Sequence, residues 1–196
     1  MTLLRNAVFA AFSILLMALP AQAQSSAEDL VRRMAAEVTS EVRKNPALVN
    51  SQTQLAALVE RRLMPRFDFD RITQLAMGRN WPKASGAEQR QVVAEFSKLL
   101  VRTYSNALAS LKDLDVEVRD SRKNGNDVTV RTQMIGRPKP VAIDYSLSNA
   151  GGGWHVYDVT VEGVSLVTAY RDEFNTLVSS SGVTGLIAAL KQKNGK

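Results

Sequence analysis

The chain has 196 residues, with 25 lysines and arginines against 19 aspartates and glutamates, one histidine and no cysteine. The absence of cysteine excludes a disulfide framework, a thiolate nucleophile and a lipoprotein acylation site. The basic residues stand in scattered pairs rather than one tract. This favours solvated faces over a nucleic-acid surface, although a mild positive field also favours transient contact with anionic lipid surfaces or acidic partners.

The N-terminal segment is typical of a cleavable signal peptide. Arg5 precedes an apolar run from Ala7 to Leu19, and Ala21-Gln22-Ala23 gives an A-x-A cleavage site. The run is shorter than the roughly 20 residues of a membrane-spanning helix, and an uncleaved N-terminal anchor is the alternative. We expect residues 1–23 to direct export, residues 24–190 to form a single α+β domain and residues 191–196 to form a flexible tail.

Three helical patterns open the predicted domain. Residues 26–44 repeat apolar side chains at helical spacing, and Ser26 with Asp29 resembles a capping box. Residues 51–65 and 68–78 predict two shorter helices, each ended by a helix-breaking residue. This part of the chain is therefore predicted to be all helical.

The longest helical pattern begins at Ser85, which forms a second capping box with Glu88, and continues to Leu111. At 1.5 Å per residue this helix would be about 37 Å long. Its broad apolar stripe needs an equally long apolar partner, which a β-sheet supplies.

Beyond this helix the hydrophobic period changes to two. Residues 114–119 and 127–133 alternate around an Asn-Gly turn, and residues 141–148 and 154–161 form a second pair around a glycine-rich turn. These segments predict a four-stranded antiparallel meander. The last strand carries bulky apolar side chains on both faces, so we expect it to contact apolar groups on each side.

Residues 165–178 and 183–190 predict two closing helices. Helices, then a meander, then helices are typical of an α+β domain. We therefore predict a curved antiparallel sheet of four or slightly more strands, packed with about six helices on one face.

Few sequence features offer catalytic chemistry. His155 is the only histidine, so a common metal site is not expected and a Ser-His-Asp triad would depend on this one residue. The glycine run 151–153 lies between two strands and reads as a turn rather than a phosphate loop. Asp158 and Glu162 stand four residues apart, either as an acid/base pair or as a structural pair at a strand end.

Several short motifs stand between residues 78 and 190. They are Gly78-Arg79-Asn80-Trp81, Ala84-Ser85, Gln89-Arg90, Glu95-Phe96, Leu99-Leu100, Thr103-Tyr104, Gly153-Trp154-His155-Val156-Tyr157-Asp158-Val159, Glu162-Gly163-Val164-Ser165-Leu166-Val167, Tyr170-Arg171 with Phe174, and Gly182 with Gly185-Leu186. Together these motifs resemble the MlaC family, also called the toluene-tolerance family. The most specific part of the resemblance is the EGVS block after the Trp-x-x-Tyr-Asp strand.

The resemblance implies an NTF2-like α+β fold around an apolar pocket and a non-enzymatic role without cofactor. Members of the family are periplasmic phospholipid carriers of Gram-negative bacteria. They work between an outer-membrane lipoprotein–porin complex and the MCE-domain subunit of an inner-membrane ABC transporter, and so maintain outer-membrane lipid asymmetry. The resemblance therefore implies phospholipid as cargo, these two complexes as partners, no nucleic-acid partner and a monomer.

A phospholipid carrier needs an apolar slot with a polar mouth, because burying an unpaired phosphate is costly. We assign the slot to the long helix, the sheet and the segment after it: Phe96, Leu99, Leu100, Tyr104, Leu108, Val141, Ile143, Tyr145, Tyr157, Val159, Val161, Val164, Leu166, Val167 and Tyr170. Plain core packing is the alternative for each. Val164, where strand gives way to helix, is the sharpest choice, and Val164→Glu is expected to remove lipid without unfolding the protein.

Two other functions fit the sequence. An NTF2-like enzyme could use Asp158 or Glu162 as a general base beside an apolar substrate, in which case Asp158→Asn would abolish its activity. A periplasmic adaptor could use its apolar surface to bind proteins, in which case the purified protein would contain no lipid.

Overall fold

The computed structural model describes residues 26–105, 115–136 and 138–195. Five α-helices and five β-strands lie within these ranges, four helices before the sheet and one long helix after it. The predicted α+β class is confirmed. The predicted signal peptide and the part of the long helix beyond Ser105, which includes Leu108, lie outside the described residues.

The first three helices form at the predicted places. They are α1 (Ala27–Lys44), α2 (Gln52–Arg62) and α3 (Phe69–Met77). The capping box of α1 is confirmed, since the Ser26 hydroxyl accepts from the Asp29 amide at 3.0 Å and the Asp29 carboxylate accepts from the Ser26 amide at 3.2 Å. These bonds satisfy amide groups that the first helical turn leaves unpaired.

The long central helix, α4, spans Gly86–Ser105 within the described residues. Its predicted capping box is confirmed as well. The Ser85 amide donates to the Glu88 carboxylate at 2.8 Å, and the Ser85 hydroxyl accepts from the Glu88 amide at 3.3 Å. A turn of 3-10 helix at Gly78–Lys83 connects α3 to this cap.

The two predicted closing helices are joined as α5 (Leu166–Asn194), which changes direction at Gly182. Gly182 has φ 67° and ψ −176°, a conformation that side chains with a Cβ rarely adopt. Residues 191–194, which we assigned to a flexible tail, continue the helix. Asn194 anchors this end, because its side-chain amide donates to both the carbonyl and the carboxylate of Glu95 at 2.9 Å.

The sheet is an antiparallel meander in the order β1-β2-β3-β4-β5. Its strands are Asp115–Asn124, Asp127–Ile135, Val141–Ala150, Gly153–Val161 and Val164–Ser165. The four predicted strands are present, and β5 is a two-residue addition at the edge. β4 also has a bulge, because Ser146 pairs with Asp158 whereas Leu147 pairs with Val156, which leaves Tyr157 without a partner in the register.

The core divides into three clusters. The largest joins α3, α4 and α5 around Phe96 and Phe174, and the second packs α1 on the sheet around Val130 and Leu147. A third, around Val42, joins α1 to α2. The helical layer and the sheet therefore enclose a space where the three clusters meet. None of the helices in the described ranges is both long and apolar enough to cross a bilayer.

Candidate functional site

An apolar cavity of about 250 Å³ lies between the sheet and the helices. It exceeds the roughly 150 Å³ of an engineered apolar cavity that stays dry and accepts benzene. Side chains from every core cluster reach its wall, among them Phe96, Met34 and Val38. All three core clusters therefore form the cavity together, and it is not a packing defect within one of them.

Two predicted segments, α4 and the sheet, form opposite walls of this cavity. Nine of the residues that we assigned to a slot line it: Phe96, Leu100, Tyr104, Ile143, Tyr145, Val159, Val161, Leu166 and Val167. Tyr145 and Val159 are direct neighbours in the β3–β4 register, and Ile143 and Val161 are the next pair on the same face. The period-two pattern of these strands therefore produces one continuous apolar surface.

The remaining apolar lining comes from side chains that we did not assign to the slot, most of them on the first three helices and the segments between them. They are Met34, Ala35, Val38, Val59, Leu63, Met64, Phe67, Phe69, Ile72, Val101, Val116 and Met134, with Ser105 beside them. The stripe Met34–Val38 was visible in the sequence as the apolar face of a helix. Its position against the cavity depends on how α1 crosses the sheet, which helical spacing does not encode.

Asp158 is the one carboxylate in the described wall, and it is fully engaged in hydrogen bonds. Its Oδ1 accepts from the amides of Val159 and Val167 at 2.9 and 3.2 Å, and its Oδ2 accepts from the Ser165 hydroxyl at 2.6 Å. The carboxylate thereby ties β4 to the start of α5. The wall keeps its apolar character because this polar group is satisfied from behind.

Tyr145 shows how deep the cavity lies. Part of the Tyr145 surface is accessible, but that part faces the cavity rather than bulk water. The side chain is therefore surrounded by protein. Burial raises the pKa of its hydroxyl to about 12. Moving a polar head group into this region would cost free energy, whereas an apolar chain enters it without that cost.

Three predicted residues, Leu99, Tyr170 and Val141, stand close to the cavity without lining it. Leu99 is buried in the helical cluster, on another side of α4 from Leu100. Tyr170 packs edge-on against Phe96, 4.8 Å between ring centroids, so it supports the wall from behind. Val141 is the register partner of Met134, which does reach the cavity, and it lies at the start of its strand.

Tyr157 is absent from the wall because of the β4 bulge. Strict alternation would place it beside Val159, but the extra residue interrupts the alternation, and its ring lies under the Arg71 guanidinium at 3.7 Å. Arg71 also binds the Asp127 carboxylate at 2.7 and 3.3 Å, and the Tyr157 hydroxyl donates to the same carboxylate at 3.0 Å. The hydrogen bond from Arg71 holds the pKa of Asp127 below its usual range.

Val164 lies outside the cavity, which corrects our sharpest assignment. It is 61% exposed and belongs to β5, where it pairs with Val161 at the edge of the sheet. Pairing places the two side chains on the same face, but the cavity ends at Val161. The hairpin turn at Glu162 and Gly163 places Val164 on the exposed edge strand β5, two residues before α5 begins at Leu166.

The residues considered for catalysis do not come together. Glu162 accepts from the Ala142 amide at 2.6 Å, on the β3 side, while Asp158 faces the start of α5. His155 lies in the sheet, as the strand pattern predicted, and it pairs with Ser148. Among the described residues, no three His, Asp or Glu side chains are grouped as a metal site requires.

Comparison with known proteins identifies the family. The model of the MlaC protein family matches residues 32–192, a span that runs from within α1 to within α5 and includes the whole sheet. This chain belongs to the MlaC family. Within this MlaC-family chain, the EGVS block has a clear structural role: it forms the β4–β5 turn, with φ 49° at Glu162 and 84° at Gly163, and Ser165 then caps α5 by accepting from the Thr168 amide at 3.1 Å.

Individual relatives agree with this membership. The chain is 26% identical over 164 residues to the toluene tolerance protein ttg2D of Pseudomonas putida, covering 82% of this chain and 76% of the relative. It is 22% identical over 178 residues to the intermembrane phospholipid transport system binding protein MlaC of Haemophilus influenzae, covering 87% and 83%.

A solved structure of the family shares the fold. It is the phospholipid-binding protein of Ralstonia solanacearum in complex with a phospholipid. The match has a TM-score of 0.81 and 33% identity, and it covers 87% of this chain and 98% of that one. The MlaC-family fold described here is therefore the fold of a protein solved with phospholipid.

Proposed function

We propose that this protein is a periplasmic phospholipid carrier whose cavity holds the acyl chains of its cargo. The observation that carries the proposal is the cavity itself, enclosed between α4 and the sheet and lined by apolar side chains. A phospholipid is bound by the Ralstonia relative, which is 33% identical and shares the fold. The predicted signal sequence supports export to the periplasm.

The energetics explain why such a carrier is needed. A diacyl lipid has about 30 methylene groups, and at roughly 0.8 kcal/mol each its exposure to water costs on the order of 20 kcal/mol. Spontaneous crossing of an aqueous compartment is therefore negligible. An apolar cavity lowers this cost for the part of the acyl chains that it covers. Its one described carboxylate, Asp158, is hydrogen-bonded to Val159, Ser165 and Val167, so carriage requires no chemical step.

Family membership supports a specific route for the cargo. On this proposal the protein exchanges phospholipid with an outer-membrane lipoprotein–porin complex and with the MCE-domain subunit of an inner-membrane ABC transporter. Transfer between them maintains the lipid asymmetry of the outer membrane. The protein acts as a freely diffusing monomer, with lipid as cargo rather than cofactor, and the direction of net transport follows from the relative affinities of the two complexes.

A transfer assay tests carriage directly. Donor vesicles with fluorescent phospholipid and acceptor vesicles are held apart by a dialysis membrane that the protein crosses, and label reaching the acceptor is measured. We expect transfer by the unmodified protein and by Ala142→Trp, because Ala142 is exposed. Ile143→Trp, at the next position but inside the cavity, should block it. Equal transfer by both variants, or none by the unmodified protein, contradicts the proposal.

A further inference from the structure

A basic groove runs along α1 beside the apolar cavity. Its charged lining residues are Arg32, Arg43, Lys44 and Asp115. Hydroxyl and small side chains, Thr39, Ser40, Ala35, Ala36 and Val116, complete it. Ala35 and Val116 also line the cavity, so the two spaces share a border.

The helical repeat of α1 explains this arrangement. Arg32, Ala36, Ser40 and Arg43 recur at three- or four-residue intervals and follow one side of the helix. Met34 and Val38 follow the neighbouring side, which faces the cavity, and both are buried. One helix therefore presents an apolar face to the cavity and a cationic face to the groove.

The groove keeps a net positive charge. Among its described lining residues, three cationic side chains stand against one carboxylate, Asp115, and that carboxylate is bound by Arg43 at 2.8 Å. Arg32 and Lys44 are exposed. Three acidic residues of the same helix have partners outside the groove: Asp29 is held by the hydroxyl and amide of Ser26, Glu28 accepts from the Ser121 hydroxyl, and Glu41 is bound by Arg62 at 3.0 Å.

We propose that this groove seats the phosphate of the lipid whose acyl chains occupy the cavity, and that it favours lipids with a net negative head group over zwitterionic ones. The inference rests on the proposed carrier function. The shared border at Ala35 and Val116 is where the glycerol backbone would lie, between apolar chains and charged phosphate. Arginine and lysine bind phosphate oxygens well, whereas the ammonium of an ethanolamine head group is repelled by the same cations.

A competition between two lipids tests the inference. The delipidated protein is equilibrated with vesicles of equal phosphatidylglycerol and phosphatidylethanolamine content, reisolated, and its bound lipids are measured by mass spectrometry. We expect the unmodified protein to be enriched about three- to tenfold in phosphatidylglycerol, the range expected for two exposed cations. Arg32→Glu with Lys44→Glu should abolish or invert this enrichment.

The matched control is Arg122→Glu with Lys123→Glu. These residues are exposed at the other end of β1 and give the same change in net charge, so the enrichment should persist. A second comparison tests whether the groove holds the phosphate of a bound lipid or only free phosphate. If the lipid phosphate occupies the groove, inorganic phosphate should bind the delipidated protein better than the loaded one. Equal binding of inorganic phosphate to both forms overturns the proposal.

The outcomes also separate this inference from the carrier function. An unmodified protein that takes up both lipids in the vesicle ratio, or a groove variant that keeps the enrichment, overturns the head-group site and leaves carriage intact. An unmodified protein that takes up no phospholipid overturns the carrier function itself. All four substituted residues are exposed, so folding should be unaffected, which circular dichroism checks.

Discussion

Val159→Glu places a carboxyl group in the middle of the cavity wall, opposite the helices. An ionised glutamate is incompatible with contact to acyl chains, so the bound state requires the protonated form. Holding a glutamate of ordinary pKa 4.3 protonated at pH 7 costs about 4 kcal/mol, at 1.36 kcal/mol per pH unit. Lipid affinity at pH 7 should therefore fall by roughly a thousandfold.

The same reasoning gives an internal pH control. Lipid binding raises the pKa of the introduced carboxyl group. The free-energy cost of protonating it on binding is therefore absent below the ordinary pKa and grows as pH rises. At pH 5 it amounts to about 1 kcal/mol, so Val159→Glu should regain most of its lipid binding. The assay is uptake of phospholipid by the delipidated variant at pH 5 and pH 7, measured by mass spectrometry after gel filtration.

Val164→Glu is the matched control. Val164 is 61% exposed, so a carboxylate there stays in water, and we now expect normal lipid uptake at both pH values. Leu100→Glu, on the facing helix, provides a second cavity variant should Val159→Glu fail to fold. The reasoning is refuted if a folded cavity variant binds lipid normally at pH 7, or if Val164→Glu is as defective as Val159→Glu.

Three further predictions concern single residues near the cavity. Asp127→Asn should lower the free energy of unfolding by about 1–3 kcal/mol at pH 7. Since Arg71 lowers the pKa of Asp127, the stability difference between the unmodified protein and the variant should shrink as pH falls below about 4. Equal differences in urea unfolding at pH 7 and pH 3 would contradict this prediction. Burial raises the pKa of Tyr145 to about 12. Between pH 10 and pH 12 the unmodified protein should therefore lose up to about 3 kcal/mol of stability relative to Tyr145→Phe. Parallel stability curves for the two proteins over this range would contradict the prediction. Asp158→Asn should cost about 1–2 kcal/mol in stability and leave lipid transfer per folded molecule unchanged, whereas a folded variant without transfer would indicate a catalytic role.

Local signals in the sequence were enough to predict most of the secondary structure. Capping boxes at Ser26 and Ser85 set the starts of α1 and α4, and the change to a period of two located four of the five strands. Periodicity also placed Phe96 and Leu100 on one wall and Ile143 and Val159 on the other. These features are encoded in neighbouring residues, so they can be read without the fold.

Tertiary geometry was harder to predict. The bulge in β4 takes Tyr157 out of the cavity wall, and its ring contacts Arg71 and its hydroxyl binds Asp127, both distant in sequence. Met34 and Val38 were recognised as an apolar helix face, but an apolar stripe does not specify whether it meets a filled core or a cavity. Val164 was misplaced because it lies in the short edge strand β5, which the period-two pattern did not predict and which leaves its side chain 61% exposed.

The measurement that tests the central claim most directly is native mass spectrometry of the protein purified from the periplasm of its expression host. The carrier account predicts a mass increment equal to bound phospholipid on most molecules, released as intact diacyl lipid on denaturation. A folded protein with the bare mass of its polypeptide, which also takes up no phospholipid from vesicles, would contradict the account.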